Sequence, residues 1–335
     1  MLLLKSLRGE EIPRFPVWLM RQAGRYMPQY RELREKEKDF LSFCKNVELA
    51  TRVSLLPLEL LGVDALIIFS DILVPLEPMG VRVEFAEGEG PRLFWEGKVE
   101  SLKKIDFSQT AFVGEIVAKL KALAKDLPVI GFCGAPFTLM AYMVEGGSSK
   151  DFRKTKRFLW EEGEKAQRLM SLLTENLVEY LKGQVRAGAD VVQVFDSWAL
   201  HLPYEEFQTY AQTHLRRLFE ELKKFSSVPL VYFYRGSGSF LRALEDLPVD
   251  VLSVDWTVDI KSVMRESSKA LQGNLDPALL YCSEEVLVEK VRDFLKGLPR
   301  RTLYVFNLGH GLMPDMDLQK VRLLVDTVKS HSLSC

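Results

Sequence analysis

The sequence predicts a single (β/α)8 barrel, or TIM barrel, that comprises the whole chain from residue 1 to residue 335. Eight short apolar runs alternate with longer charged segments in which apolar residues recur every three to four positions. The runs are apolar almost throughout, as is typical of parallel strands covered on both faces. No linker rich in Pro, Gly or Ser divides the chain into two domains. An open, doubly wound sheet is the alternative architecture.

Each apolar run is interpreted as one strand of the barrel. In chain order the predicted strands are 16–20, 65–69, 128–133, 190–195, 229–234, 251–254, 270–274 and 302–307. All but the first follow a plausible helix, for example AFVGEIVAKLKALAKD before the third and SEEVLVEKVRDFLKG before the eighth. Eight such units are the number that a closed barrel requires.

One stretch departs from this alternation. After Asp71 the chain reads VPLEPMGVRVEFAEGEGPRLFWEG, in which VRVEF and RLFW flank a turn of Glu and Gly residues. We interpret it as a small β-hairpin inserted after strand 2, where it would rim or cover a pocket.

The composition is that of a globular protein, with 47% hydrophobic, 27% charged and 10% aromatic residues. Disorder, collagen and simple coiled coil are therefore poor interpretations. The 45 Lys and Arg residues against 46 Asp and Glu residues give a formal net charge of −1. No overall field draws such a molecule to nucleic acid or to an anionic membrane, so we expect neither as a partner.

The first residues of the sequence and its cysteines bear on where in the cell the protein is expected. Too few apolar residues precede Lys5 for a secretory signal, and no later stretch approaches the roughly 18 that a spanning helix needs. A cytoplasmic protein is expected. The cysteines Cys44, Cys133, Cys282 and Cys335 form no CxxC pair and have no nearby His that would complete a zinc signature. We expect reduced, mostly structural cysteines and no metal site.

Polar, charged and glycine residues follow the predicted strands. In a parallel barrel the carboxyl ends of the strands meet at one rim, together with the N-termini of helices. The sequence therefore predicts the active site at that rim. The residues in question are Arg21, Arg25, Ser70, Asp71, 134–136, Asp196, Ser197, Arg235, Gly236, Asp255, Asp276 and 307–311.

The segment PVWLMRQAGRYMPQY places Arg21 and Arg25 four residues apart, just past the first run. Each guanidinium group stays charged at any working pH and offers five donors that suit carboxylates or phosphates. A polyanionic substrate is one interpretation. The other is that both arginines pair with acidic side chains on neighbouring loops.

The amino-acid sequences of five segments closely resemble those of the uroporphyrinogen decarboxylase family. The two signatures are PVWLMRQAGRYMPQYRE at 16–32 and GFCGAPFTLMAYMVEG at 131–146. Shorter matches are FSDIL at 69–73, VFDSW at 194–198 and FNLGHG at 306–311, in the family's order. One departure is that Leu200 and His201 follow Ala199, where the family generally has a Gly.

The resemblance implies an enzyme on a single barrel, usually a homodimer, that needs no cofactor. It would convert the four acetate side chains of uroporphyrinogen III to methyl groups, giving coproporphyrinogen III and CO2. The resemblance assigns catalysis to Asp71, Arg21 and Arg25. It assigns substrate binding to Arg21, Gln22, Arg25, Ile67, Asp71, Tyr142, Phe195, Ser197 and His310.

Each assigned side chain also has an ordinary structural interpretation. The Asp71 carboxylate can accept hydrogen bonds from several pyrrole N–H groups, or it can cap a helix after Ser70. His310 can approach a carboxylate and titrate near neutral pH, or it can be structural. Tyr142 and Ser197 offer hydroxyl donors, but a tyrosine on a helix face and a serine in a turn are common.

The chemistry does not require a bound group. Protonation of a pyrrole α-carbon would make a cationic ring that accepts the electron pair left by CO2, so the substrate serves as its own electron sink. The chain has no P-loop, zinc signature or complete GxGxxG, and RGSGS at 235–239 is interpreted as a turn that starts a helix.

Two other functions remain open from the residues. A corrinoid or thiol methyltransferase would need clustered His and Cys ligands for zinc, whereas only Cys133 is well placed at the rim. A tetrapyrrole carrier would use the same arginines without catalysing a reaction.

Overall fold

The computed structural model describes residues 1–85, 90–299 and 302–333. The strands in these ranges are β1 (Leu66–Ile67), β2 (Arg82–Phe85), β3 (Pro91–Phe94), β4 (Val129–Gly134), β5 (Val191–Asp196), β6 (Leu230–Tyr234), β7 (Val251–Val254), β8 (Ala270–Leu275) and β9 (Tyr304–Leu308). Seven of them form one parallel sheet in the order β1-β4-β5-β6-β7-β8-β9. A doubly wound sheet reverses its strand order at one point, so this sequential order contradicts that alternative.

Seven of the eight predicted runs are strands of this sheet, and the run at 16–20 is not. It makes a single parallel bridge, from Val17 to Phe306. The ladder stops there because the Met20 N–H donates to the side-chain Oδ1 of Asn307, 2.9 Å away, rather than to a backbone carbonyl. The prediction of a full first strand is therefore wrong in its extent.

Residues 16–20 nevertheless contact both edges of the sheet. On the β9 side the Phe306 N–H donates to the Pro16 carbonyl oxygen over 2.9 Å. On the β1 side the Asp64 N–H donates to the Val17 carbonyl oxygen over 2.8 Å, and the Val17 N–H donates to the Asp64 carboxylate. Arg14 holds the same carboxylate with two hydrogen bonds of 2.7 and 2.8 Å.

Helices cover the outside of the sheet. The α-helices are α1 (Leu2–Leu7), α2 (Pro28–Arg34), α3 (Phe40–Lys45), α4 (Val47–Leu61), α5 (Ala111–Leu123), α6 (Pro136–Glu145), α7 (Arg153–Glu161), α8 (Gly163–Arg186), α9 (Tyr204–Glu206), α10 (Thr213–Phe225), α11 (Leu241–Glu245), α12 (Ile260–Glu266), α13 (Glu284–Lys296) and α14 (Leu318–Ser330). A π-helical turn, Phe207–Gln212, joins α9 to α10. Short 3₁₀ turns lie at Val74–Leu76, Val99–Ser101, Phe107–Thr110, Ala199–His201, Ser237–Ser239 and Pro277–Tyr281.

Local signals in the sequence set where helices begin and end. Asn46 caps α4 by accepting from the Leu49 N–H, and Gly62 ends that helix in the left-handed conformation at φ 67°. Ser283 caps α13 in the same way as Asn46 caps α4. Around the sheet α4 packs against α5, α8 against α10 and α13 against α14, and α14 returns to contact α4.

The sheet encloses a polar layer within its apolar interior. The Trp18 indole N–H donates to Gln272 Oε1 over 2.9 Å, and Gln272 Nε2 donates to Gln193 and Ser253 over 3.1 and 2.9 Å. All four side chains are buried. These contacts fix the register between the first segment and strands β5, β7 and β8, because a buried polar atom without a partner is costly.

The strands β2 and β3 form a separate antiparallel pair, in which Arg82 lies opposite Phe94. Phe85 packs on Phe40 of α3 with ring centroids 4.9 Å apart, and a bridge from Arg92 to Gly147 ties the pair to the end of α6. Residues 86–89 of the predicted Glu/Gly turn lie outside the described residues.

Candidate active site

Asp71 lies just past β1 and is half-buried. Its Oδ1 accepts the backbone N–H of Leu73 over 2.8 Å, which fixes the direction of the carboxylate. Burial raises the pKa of Asp71 to about 6, while the Leu73 N–H and the charge of Arg21 act in the opposite direction. At neutral pH the Asp71 carboxylate is therefore mainly ionised but only partly solvated. Hydrogen-bond donors of a ligand would stabilise this charge.

Arg21 is held in an unusual backbone conformation at the rim. Its φ is 56°, in the left-handed region that non-glycine residues rarely occupy. The side chain is exposed, and its aliphatic stem lies across Gly311. A Cβ atom added at Gly311 would lie only 2.6 Å from Cγ of Arg21. The glycine is therefore required for Arg21 to reach its observed position.

Neither Arg21 nor Arg25 forms an ion pair with any residue in the described part of the chain. Both side chains are exposed. The Arg25 backbone carbonyl oxygen accepts a hydrogen bond of 2.7 Å from Arg31, which supports the loop while the Arg25 guanidinium stays available. This placement opposes the interpretation in which the two arginines serve to pair with neighbouring acids.

Gln22 is buried and its side-chain amide is engaged by backbone groups. The Leu19 N–H donates to Oε1 over 3.1 Å, and Nε2 donates to the Ala65 carbonyl oxygen over 3.1 Å. The side chain thus fastens the arginine-bearing loop to the start of β1. It is placed to position Arg21 rather than to contact a ligand itself.

Aromatic side chains of neighbouring strands pack in a row that ends at His310. Phe195 of β5 lies between Phe132 and Phe233, with ring centroids 5.6 and 5.9 Å away. Phe233 in turn meets the His310 ring at 6.4 Å. Ile67 and Phe195 are each half-buried, so both keep some exposed apolar surface.

Tyr142 on α6 is half-buried, and its ring packs edge to face on Trp198 at 5.7 Å. Burial, and then the negative charge of Asp71, raise the pKa of Tyr142. The phenol therefore stays protonated and can donate a hydrogen bond into the cleft.

His310 is half-buried between two glycines, and Gly309 on one side packs closely against Trp256. Burial, and then the charges of Arg21 and Arg235, lower the pKa of His310 to about 4. The prediction that His310 titrates near neutral pH is therefore wrong. At neutral pH the imidazole is uncharged and offers one N–H donor.

Ser197 is positioned by a network that the sequence did not reveal. The Thr138 hydroxyl donates to Asp196 Oδ1 over 2.7 Å and accepts the backbone N–H groups of Ser197 and Trp198 over 3.0 and 3.3 Å. Tyr232 donates to the second Asp196 oxygen over 2.9 Å. The only signal was the position of Thr138 within the segment GAPFT, after β4.

Replacing Thr138 with Val removes these three hydrogen bonds and leaves the buried Asp196 Oδ1 with only the longer bond, of 3.3 Å, from the Ala199 N–H. We expect a loss of about 2–4 kcal/mol of unfolding free energy, measured by urea titration, together with lower activity. Thr327→Val is the matched control, because the Thr327 hydroxyl makes one bond within α14, to the Leu323 carbonyl oxygen. A Thr138 variant as stable as this control would contradict the role of the network.

Three acidic residues predicted at the rim are engaged elsewhere. Asp196 is fully buried and serves the Thr138 network. Asp255 accepts from the Gly236 N–H over 2.5 Å and from the Thr257 N–H over 3.0 Å. Asp276 accepts from the Ala278 N–H and caps a 3₁₀ turn. Each carboxylate thus accepts hydrogen bonds from its own loop or from neighbouring elements.

Cys133 and Cys44 are buried and carry free thiols, and burial raises the pKa of both. Cys282 is also free, and Cys335 lies outside the described residues. Within the described ranges no group of three or more His, Cys, Asp or Glu side chains is arranged to hold a metal ion. Among the described residues, no helix has the length and apolar character needed to span a membrane.

The fold is that of an α/β protein with one parallel sheet and a candidate small-molecule site at the carboxyl ends of its strands. The residues that follow the strands and the first segment include a half-buried carboxylate, exposed guanidinium groups and neutral hydrogen-bond donors. Residues 1–331 match the family described as Uroporphyrinogen decarboxylase (URO-D). The chain belongs to this family.

Curated relatives carry the same name over nearly their full length. The uroporphyrinogen decarboxylase of Aquifex aeolicus is 59% identical over 333 residues, which cover 99% of this chain and 98% of that protein. The uroporphyrinogen decarboxylase of Hydrogenobaculum sp. is 47% identical, covering 98% of this chain and 95% of that protein.

Solved structures share the fold at low identity. A methyltransferase from Methanosarcina mazei superimposes with a TM-score of 0.80 at 20% identity, covering 98% of this chain and 97% of that one. A B12-independent methionine synthase from Shewanella sp. gives a TM-score of 0.56 at 14% identity, covering 96% of this chain and 94% of that one. At such identities the likeness shows the fold alone.

Proposed function

We propose that this protein removes the four acetate carboxyl groups of uroporphyrinogen III, giving coproporphyrinogen III and four CO2 in tetrapyrrole biosynthesis. The observation that carries the proposal is Asp71, a half-buried carboxylate with a pKa of about 6 in a cleft rimmed by unpaired guanidinium groups. Uroporphyrinogen III brings four N–H donors at its centre and eight carboxylates at its edge. It therefore complements both features of the cleft.

Different residues of the cleft bind different parts of the substrate. Arg21 and Arg25 bind carboxylates through charge-assisted hydrogen bonds. The Ser197 hydroxyl, the Tyr142 hydroxyl and the His310 imidazole donate to further side-chain carboxylates. Pyrrole faces lie on the half-buried Ile67 and Phe195, and Gln22 supports the loop that carries Arg21.

Asp71 stabilises the cationic intermediate. A proton added to a pyrrole α-carbon makes the ring cationic, the acetate C–C bond then breaks, and its electron pair enters the ring as CO2 leaves. A second proton converts the resulting methylene group to methyl, and the ring proton departs. The carboxylate of Asp71 accepts the pyrrole N–H groups and favours the cationic stage electrostatically, without a cofactor.

Arg21 acts on the same step through its charge. A guanidinium group with a pKa above about 12 transfers a proton reluctantly. Arg21 lies close enough for its charge to act on both Asp71 and Tyr142. It orients the reacting acetate while a bound acid or water supplies the proton.

We propose further that residues 16–20, with their single bridge to β9, close the parallel sheet into a (β/α)8-type barrel that is one domain over residues 1–335, with β2 and β3 forming a hairpin that rims the cleft. Support comes from the hydrogen bonds of this segment to Phe306 and Asp64 and from the packing of α14 on α4. A cytoplasmic homodimer is proposed from the family resemblance. Sedimentation of the purified protein tests the dimer.

Replacing Arg25 with Ala is expected to raise KM for uroporphyrinogen about tenfold or more with little change in kcat, since Arg25 grips the edge of the substrate away from Asp71. Folding should be unaffected because the side chain is exposed. Arg322→Ala on α14, a similarly exposed position, serves as the control. An unchanged KM in the Arg25 variant would argue against this contact.

The function is tested by incubating the purified protein anaerobically with uroporphyrinogen III, without added metal or cofactor, and separating products by carboxyl number. Release of CO2 with a ladder from eight to four carboxyl groups is expected. Tight binding without CO2 would instead favour the carrier. Stoichiometric zinc in the purified protein, together with no decarboxylation, would favour the methyltransferase.

A further inference from the structure

Arg235 follows β6 and is half-buried at the same rim, yet the proposed function gives it no role. It stands two residues after Phe233, so both side chains leave the strand on the same side. The Phe233 ring meets the His310 ring at 6.4 Å. Arg235 therefore lies on the His310 side of the cleft.

The backbone around Arg235 is held firmly. Its N–H donates to the Asp196 carbonyl oxygen over 3.1 Å, which continues the β5–β6 ladder. The next residue, Gly236, adopts φ 79° and donates to Asp255. Leu200 packs on Gly236, where an added Cβ would lie 3.0 Å from Cβ of Leu200. Leu200, which stands where the family generally has a Gly, therefore packs against the loop that carries Arg235.

The charge of Arg235 has little local compensation. It makes no ion pair within 4.0 Å with the residues that the structure describes. The acid whose charge acts on the neighbouring imidazole is Asp255, and that carboxylate already accepts from Gly236 and from the N–H and hydroxyl of Thr257. Arg21 acts on the same imidazole from another loop.

The charges of two guanidinium groups thus act on one half-buried, neutral imidazole. Two positive charges in such a site repel each other, and an anion between or beside them would offset this repulsion. A guanidinium group that is half-buried, unpaired and fixed at its backbone is preorganised for a carboxylate.

We propose that Arg235 is a third carboxylate-binding arginine of the cleft, which takes a substrate side-chain carboxylate on the His310 side. This inference rests on the proposed function, because it requires a substrate with several carboxylates around its edge. Arg235 is then a binding residue that lowers KM and has little effect on the chemical step.

The test compares Arg235→Ala, Arg235→Lys and Arg242→Ala with the parent protein. Arg242 is an exposed arginine on the following helix α11 and serves as the control. For Arg235→Ala we expect KM for uroporphyrinogen III to rise about tenfold to a hundredfold, with kcat changed less than about threefold. Lysine should restore part of the loss, because it keeps the charge without the fork.

A second measurement separates this role from a purely structural one. In the substrate-free protein, NMR titration of His310 should give a higher pKa in Arg235→Ala than in the parent, because one of the two cations beside the imidazole is gone. The groups that face His310 are Arg21, Arg235, Asp255 and the Gly311 backbone. Arg242→Ala should leave this pKa unchanged.

The outcomes are distinguishable. If the parent protein releases CO2 but Arg235→Ala keeps the parental KM, the inference about Arg235 is overturned and the proposed function stands. A fall in kcat with unchanged KM would also overturn it. If the parent protein releases no CO2, the proposed function fails, and an altered His310 pKa then shows only that Arg235 lies beside the imidazole.

Discussion

Asp71→Asn is expected to lower kcat at least about 100-fold and, at neutral pH, to make the folded protein more stable. The loss of activity follows because a neutral amide no longer favours the cationic ring; removing one such electrostatic group typically costs a factor of about 10² to 10³. The amide oxygen can still accept the Leu73 N–H, so the loop keeps its shape. Single-turnover assays with uroporphyrinogen III measure the effect.

The gain in stability follows from the raised pKa of Asp71, which lies near 3.9 in an unfolded chain and at about 6 in the folded protein. The folded state binds the extra proton between these values, so this residue's contribution is fully present below about pH 4 and is lost as pH rises through 6. At pH 7 the charged form costs on the order of 2 kcal/mol. Asn carries no such cost.

Urea titrations at pH 4 and pH 7 test this sign. The Asp71 variant should match the parent at pH 4 and exceed it at pH 7. Asp259→Asn is the control, since Asp259 caps α12 and its hydrogen bonds to Ser262 lower its pKa. That variant should keep full activity, and any stability difference at pH 7 should have the opposite sign. Near-normal turnover by the Asp71 variant would refute the catalytic role.

Gly311→Ala is expected to lower kcat/KM about 100-fold although the new methyl group touches no substrate. An alanine Cβ would lie 2.6 Å from Cγ of Arg21, so the stem must rotate and carry the guanidinium group away from Asp71. Misplacing a catalytic group by about 1 Å can cost two orders of magnitude. Arg21 is exposed, so the fold should survive the shift.

Gly297→Ala provides the matched control. There the added Cβ meets mainly the end of the Lys261 side chain, which is flexible and can swing aside. Both variants should unfold at the urea concentration of the parent. Full activity in the Gly311 variant would contradict the inference that activity depends on the observed position of the Arg21 guanidinium group.

The sequence predicted most of the fold because its signals are local or topological. Apolar runs located seven strands, and the rule that parallel strands end at one rim brought together Asp71, Ser197 and His310. The prediction of a full strand at residues 16–20 was wrong because the Met20 N–H donates to the side chain of Asn307, which is remote in sequence, and not to a backbone carbonyl of β9. No pattern within residues 16–20 carries that information.

The parts of the site that could not be predicted depend on long-range contacts. Asp196 looked like a rim residue, but its carboxylate turns towards Thr138 and Tyr232. The low pKa of His310 comes first from burial and then from two arginines on other loops. Burial and charge at such positions arise only when distant segments meet, and single-residue patterns do not encode them.

The contact between Arg21 and Gly311 joins residues near opposite ends of the chain, and this has a consequence for synthesis. Arg21 is synthesised well before Gly311, which lies against its stem. A nascent chain that lacks β9 has neither the bridge to Val17 nor the glycine against which the arginine stem lies. We therefore expect Arg21 to reach its final position only after β9 and the loop that follows it have been made.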